Sequence, residues 1–183
     1  MSIMAIDWPK IEATIFSLAS DDIRKFAAKH TDEVFYGFFM DCNSIHGDVL
    51  LHMNTPDKLR QGVEAARNKN PEYYANMSVE ELEDKWRWEA GDWGYFEINT
   101  WDIWKHKWWP IAKQIERYIE EDMSAAETFM RSACRVLLKL ESAGLFKLFR
   151  ATDYFAIWCA DHDESLQDAK KRLDAVRGGI CGS

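Results

Sequence analysis

Apolar residues recur at helical spacing between Pro9 and Lys29, at Ile11, Ile15, Leu18, Ile23, Phe26 and Ala27. Ser20-Asp21-Asp22 interrupts that stripe and looks like a fresh N-cap, so a break is expected there. Val34 to Cys42 is short, aromatic and apolar on both faces, the pattern of a buried central strand. Asn43 to Gly47 reads as a turn, and Asp48 to Asn54 as the partner strand of a hairpin. Thr55-Pro56 opens a helix, because Thr caps well and Pro suits the first helical position. Leu59 and Val63 give that helix a narrow apolar face, and the polar stretch around Pro71 ends it. Ser78 followed by Glu81 is a capping box that starts a short acidic helix. Trp93 to Asn99 alternates and predicts a third strand.

Trp101 to Glu121 places Trp104, Trp108, Ile111, Ile115, Tyr118 and Ile119 on one face, with Pro110 in the first turn of a second helix. Ser124 and Glu127 form another capping box, ahead of a strong helix carrying Phe129, Met130, Ala133, Val136, Leu137 and Leu140. Gly144 caps its end. Tyr154 to Asp161 is a final apolar strand, and Ser165 to Val176 a helix with Leu166, Ala169, Leu173 and Val176 facing inward. Residues 177–183 are expected to fray. No linker or internal repeat divides the 183 residues. Residues 1–183 are therefore expected to form one α+β domain, with a mainly antiparallel sheet of about four or five strands covered by helices.

Composition narrows the function classes. The chain is 47% hydrophobic and 30% charged, with only 9 Gly and 4 Pro, so a soluble packed domain is expected rather than a low-complexity segment. The uncharged apolar runs Val34 to Met40 and Tyr154 to Ala160 fall well short of the roughly 20 apolar residues that cross a membrane. Met1 to Asp7 has neither a basic region nor an apolar core, so no secretory signal is expected. Cys42, Cys134, Cys159 and Cys181 read as reduced thiols, which points to the cytoplasm.

The net charge of −8 is unevenly placed. Residues 71–103 hold nine acids and two bases, a net −7. The same region is rich in indole: seven of nine tryptophans lie between Trp86 and Trp109. Nucleic acid needs a basic footprint and is not an expected partner. A cationic protein would be attracted, chiefly through its association rate. The expected contact residues are Glu80, Glu81, Glu83, Asp84, Trp86, Glu89 and Asp92. Within that stretch Arg87-Trp88 and Asp92-Trp93 flank a strand entry, where a pocket or an Arg–Trp stack is the natural reading.

Candidate chemistry is sparse. Asp161-His162-Asp163 follows a buried strand, where a His beside carboxylates can act as a base or else simply cap the next helix. Asp41-Cys42 ends the first strand in the same way. If those strands are parallel neighbours, Asp41 and Asp161 share one sheet edge and perturb each other. Cys159 and His162 make a C-x-x-H half-site, with His46 and His52 as remote additions, too little for a structural metal. There is no phosphate-binding loop, dinucleotide fingerprint, zinc-protease motif or nucleophile elbow.

The ordered set VFYGFFMDCNS, VLLHMNT, RWEAGDWGYFEIN, LLKLESAGLF and a closing strand ending in Asp-His-Asp resembles the bacterial domain-of-unknown-function 4303 family. The resemblance covers roughly residues 10–176 and departs from the family pattern at Ala90-Gly91, where a proline is expected. It implies a small protein found beside secreted polymorphic toxins: an immunity protein that binds the cognate toxin and blocks it. It carries over no catalytic residue, and no cofactor or metal is expected. The alternatives are a small hydrolase using Asp41, Asp161 and His162, and a homodimeric structural or regulatory subunit.

Overall fold

The computed structural model describes residues 6–89, 91, 93–162 and 164–181. Its elements are α1 (Trp8–Lys29), β1 (Val34–Asn43), β2 (Asp48–Asn54), α2 (Pro56–Lys69), α3 (Val79–Trp86), α4 (Trp101–Lys107), α5 (Trp109–Glu121), α6 (Ser124–Ser142), a 3-10 turn (Leu145–Leu148), β3 (Arg150–Asp161) and α7 (Leu166–Cys181).

The sheet has three strands in the order β2-β1-β3. β1 pairs antiparallel with β2, from Gly37 opposite Asn54 to Asn43 opposite Asp48. It pairs parallel with β3, from Val34 beside Arg150 to Cys42 beside Asp161, with an irregularity between Phe35 and Gly37. The α+β character stands, but the larger, mainly antiparallel sheet does not: this one is small, mixed and outweighed by helix. The missing strand is Trp93–Asn99. It makes a single bridge, in which Tyr95 and Met53 exchange backbone bonds of 3.2 and 3.1 Å. The backbone then turns away at Glu97, whose φ is 57°. Beyond that point one backbone bond remains, from Ile98 N–H to Leu51 C=O at 2.8 Å, and the Asn99 side chain then takes over. Its amide oxygen accepts from Leu51 N–H at 2.8 Å, and its amide nitrogen donates to Val49 C=O at 3.1 Å. The outer edge of β2 is thus closed by mixed backbone and side-chain bonds, which satisfies its polar groups without a fourth strand.

β1 is buried along most of its length, so both of its faces need cover. On one face Phe38, Met40, Leu51 and Met53 pack against α1, α4, α5 and α6 through Ile15, Ile23, Trp104, Ile115, Phe129 and Leu137. On the other, Tyr36, Phe39 and Ala160 meet Leu59 and Val63 of α2, Leu82 of α3, Trp93, and Ala169 of α7. The caps expected at Thr55 and Ser78 form, the latter with both halves of its capping box. Gly144 adopts φ 72° just past α6. The start of α6 differs from expectation: Asp122, not a Ser124–Glu127 box, accepts the Ser124 N–H and hydroxyl at 3.0 and 2.7 Å.

α1 runs unbroken through Ser20-Asp21-Asp22. Asp22 is 3% exposed, and its carboxylate faces the core instead of capping its own chain. It accepts from Thr100 N–H at 3.0 Å and from the Trp104 indole at 2.6 Å, and it takes the Thr100 hydroxyl as well. A cap signal in the sequence is therefore spent on the start of α4, across space.

Two further contacts hold the Trp93–Asn99 segment. A Cβ at Gly37 would lie 2.8 Å from the Trp93 ring, so the indole sits directly on the β1 backbone. Tyr95 Oη donates to Glu33, with 2.6 Å to Oε2, while His30 Nδ1 lies 2.7 Å from Glu33 Oε1. Gly37→Ala should lower stability by about 1–3 kcal/mol through overpacking. Urea denaturation checks this, and an unchanged midpoint contradicts it.

Burial raises the Glu33 carboxyl, but hydrogen bonds from Tyr95 and His30 and the charges of His30 and Lys58 outweigh it and hold the group below its usual value. A carboxylate depressed by folding contributes stability above its unfolded pKa of about 4.3 and loses it as pH falls through the folded value. Thermal midpoints of the native chain should accordingly fall as pH is lowered below about 4, and Glu33→Gln should lose part of that dependence. Superimposable pH profiles for the two proteins would count against the anchor.

Candidate functional site

α3 is short and most of its surface is acidic. Leu82 buries its inner face against α2. Glu80, Glu81, Asp84 and, past the helix, Glu89 are exposed. Part of that charge is already engaged. Glu81 Oε2 accepts the Ser78 N–H at 2.7 Å as half of the capping box. Glu83 pairs with Arg60 at 2.6 Å, and Asp84 with Arg87 at 3.1 Å. Such surface pairs are worth little, but they lower the local field. Trp86 is half-buried, its ring 6.1 Å from Tyr74. Asp92 lies outside the described residues.

The tryptophans do not gather on one outward face. Trp93, Trp104 and Trp108 are buried, and each indole N–H is satisfied internally, on Arg87 C=O, Asp22 and Gly47 C=O respectively. Trp88 packs edge-on against Tyr36 and Trp158. Only Trp101 and Trp109, at 49% and 52%, are substantially exposed, and they sit on α4 and α5 rather than beside α3. The Arg87 guanidinium lies over tyrosines, 5.3 Å from the Tyr154 ring centre and 5.9 Å from that of Tyr36.

The second candidate lies where β1 and β3 end together. Parallel pairing does bring Asp41 and Asp161 to one end of the sheet. Cys42 is the registered neighbour of Asp161, so Asp41, one residue earlier, points to the opposite face. The two carboxylates do not form a pair. Asp161 caps the β1–β2 turn, accepting from Ser44 N–H at 2.9 Å and from the Ser44 hydroxyl. Asp41 instead meets two imidazoles: its Oδ2 is 3.5 Å from His162 Nδ1 and 3.8 Å from His52 Nε2. The sequence marks His52 only as a remote addition to the C-x-x-H half-site. Its hairpin register opposite Phe39 puts it on the Asp41 face.

His52 is fully buried, its ring tilted 30° to that of Phe96 with centroids 4.5 Å apart. Its Nδ1 accepts the Glu97 N–H at 3.0 Å, which places the ring proton on Nε2. That nitrogen has no hydrogen-bond partner and faces Asp41. A metal would need its lone pair, which the protonated nitrogen does not offer, and no group of three ligating side chains suited to a metal occurs among the described residues. The C-x-x-H half-site is not assembled either, because Cys159 is buried in the core. Cys42 and Cys134 are buried with it. Contact with the Cys159 thiol and burial push the Cys134 thiol far up, so no reactive thiolate is available from it. What remains is a carboxylate at the inner nitrogen of an exposed imidazole, His162 being 64% exposed. That arrangement can orient a general base.

No helix among the described residues is long and apolar enough to cross a membrane. No curated protein and no solved structure matches the chain. The family model described as a domain of unknown function, DUF4303, matches residues 17–175, and on that match, across most of its length, the chain belongs to this family.

Proposed function

We propose that the protein is a non-enzymatic binding protein of the cytoplasm that neutralises a cognate secreted bacterial toxin by docking it on α3. The observation that carries this reading is the outward placement of Glu80, Glu81 and Asp84 on one short helix, continued by Glu89. These groups stand within the segment of net charge −7, so the chain's charge excess meets solvent where a basic protein can approach. Trp86, half-buried at the end of α3, supplies an aromatic anchor at the same place. An enzyme whose substrate groove is basic is the kind of partner such a surface fits.

The test is the triple substitution Glu80→Lys, Asp84→Lys and Glu89→Lys, which spares the Glu81 cap and the Glu83–Arg60 pair. Association with the protein encoded beside this one should slow by about tenfold or more at low salt, and the difference should shrink as salt rises. An unchanged on-rate at low salt rejects the reading.

A second reading is favoured by the Asp41–His162 approach of 3.5 Å. Here His162 activates water for hydrolysis, oriented by Asp41, with the indifferent Asp161 reserved for the turn at Ser44. A panel of chromogenic esters and phosphodiesters checks it. Turnover that drops about a hundredfold in both His162→Ala and Asp41→Asn supports the site. No turnover, or turnover indifferent to both changes, removes it.

A further inference from the structure

Tyr73 is 73% exposed, more than any other large hydrophobic side chain among the described residues. Single exposed rings are ordinary on a protein surface, but this one ends a connected series. Its ring meets that of Tyr74 edge to face, with centroids 4.7 Å apart and planes at 87°. Tyr74 in turn stands 6.1 Å from Trp86 of α3, again edge to face. Tyr74 and Trp86 pack against the buried cluster in which Leu59, Val63 and Leu82 cover Tyr36 and Phe39. The series therefore runs from the covered side of α3 out to solvent, and Tyr73 is its free end.

The turn that carries Tyr73 is tied to the helices on both sides. Asn70 ends α2, and Tyr74 N–H donates to Asn70 C=O at 3.3 Å. Met77 N–H donates to Tyr74 C=O at 3.1 Å, directly before the Ser78 cap of α3. A tyrosine has only two side-chain torsions to immobilise, so a ring presented on such a turn loses little freedom when it is covered.

Its surroundings are acidic. Residues 71–86 hold five acids and one base, Lys85. Glu83 and Asp84 are engaged by Arg60 and Arg87. Glu72, Glu80 and Glu81 are exposed and stand outside the ion pairs among the described residues. Three glutamates thus remain against one lysine. Other exposed rings differ in this respect: Trp109 and Tyr154 already lie beside cations of the chain itself, Lys113 and Arg87.

We propose that Tyr73 is the anchor of the docking surface, the side chain that a basic protein partner buries in an apolar pocket rimmed by lysine or arginine. The ring fills the pocket and offers its face to a cation, and the glutamates around it draw the cationic rim and repel an acidic one. This rests on the reading of α3 as the docking helix and divides the work of that surface. The carboxylates set how fast the partner arrives, and the buried ring sets how long it stays.

The experiment measures association and dissociation rates of the full chain with the protein encoded beside it. Tyr73→Ala should speed dissociation about tenfold or more and leave association at low salt within about twofold of the native rate. Tyr73→Phe, which keeps the ring, should dissociate within about threefold of the native rate. An unchanged melting midpoint in Tyr73→Ala shows that the fold is intact, as the exposure of the ring leads one to expect. Native dissociation in Tyr73→Ala, beside slowed association in the α3 triple-lysine protein, overturns the anchor and leaves the α3 reading standing. Faster dissociation in Tyr73→Ala, beside unchanged association in the triple-lysine protein, supports the anchor and removes the acidic steering. No binding by the native chain overturns both.

Discussion

Everything in this fold answers to the burial of β1. Phe35, Tyr36, Phe38 and Met40 are wholly buried in a strand that bonds to a neighbour along both edges. Each such side chain contributes about 1.5–3 kcal/mol only if its face is covered. Three strands cannot fold over to cover both faces, so helices must. The long α1 and α6 close one side, and α2 and α3 the other. The acidic α3 is on the surface because Leu82 on its inner side is needed to cover Tyr36 and Phe39.

Local chemistry in the sequence reveals the elements whose signals are spent locally. The β1–β2 hairpin, the Thr55-Pro56 start, the Ser78 box and the Gly144 turn are of this kind. Signals spent across space mislead. Asp22 looks like a cap within its own helix, yet its hydrogen bonds go to Thr100 and Trp104. Trp93 to Asn99 alternates like a strand, yet Glu97 turns the backbone and the Asn99 amide finishes the pairing. The parallel bond between β1 and β3 joins segments more than a hundred residues apart, which no local pattern reports.

The sites divide along the same line. The clustering of acids was legible because charge is a property of the residue itself. The fate of each tryptophan was not, because burial depends on which helix face meets the sheet. Asp41 and Asp161 could be placed at one sheet end only under an assumption of parallel pairing. Even then the side-chain alternation separates them, and Asp41 finds His162 and His52 instead. His52 has no motif around it; its role comes from hairpin register alone.

The acidic helix over one sheet face thus follows from that packing requirement. Amide hydrogen exchange of the protein, free and bound to the proposed toxin partner, tests its use most directly. The account predicts slowed exchange in residues 79–89 on binding. Protection confined to the end of β1 and β3 around Asp41 and His162, with no change in residues 79–89, would contradict it.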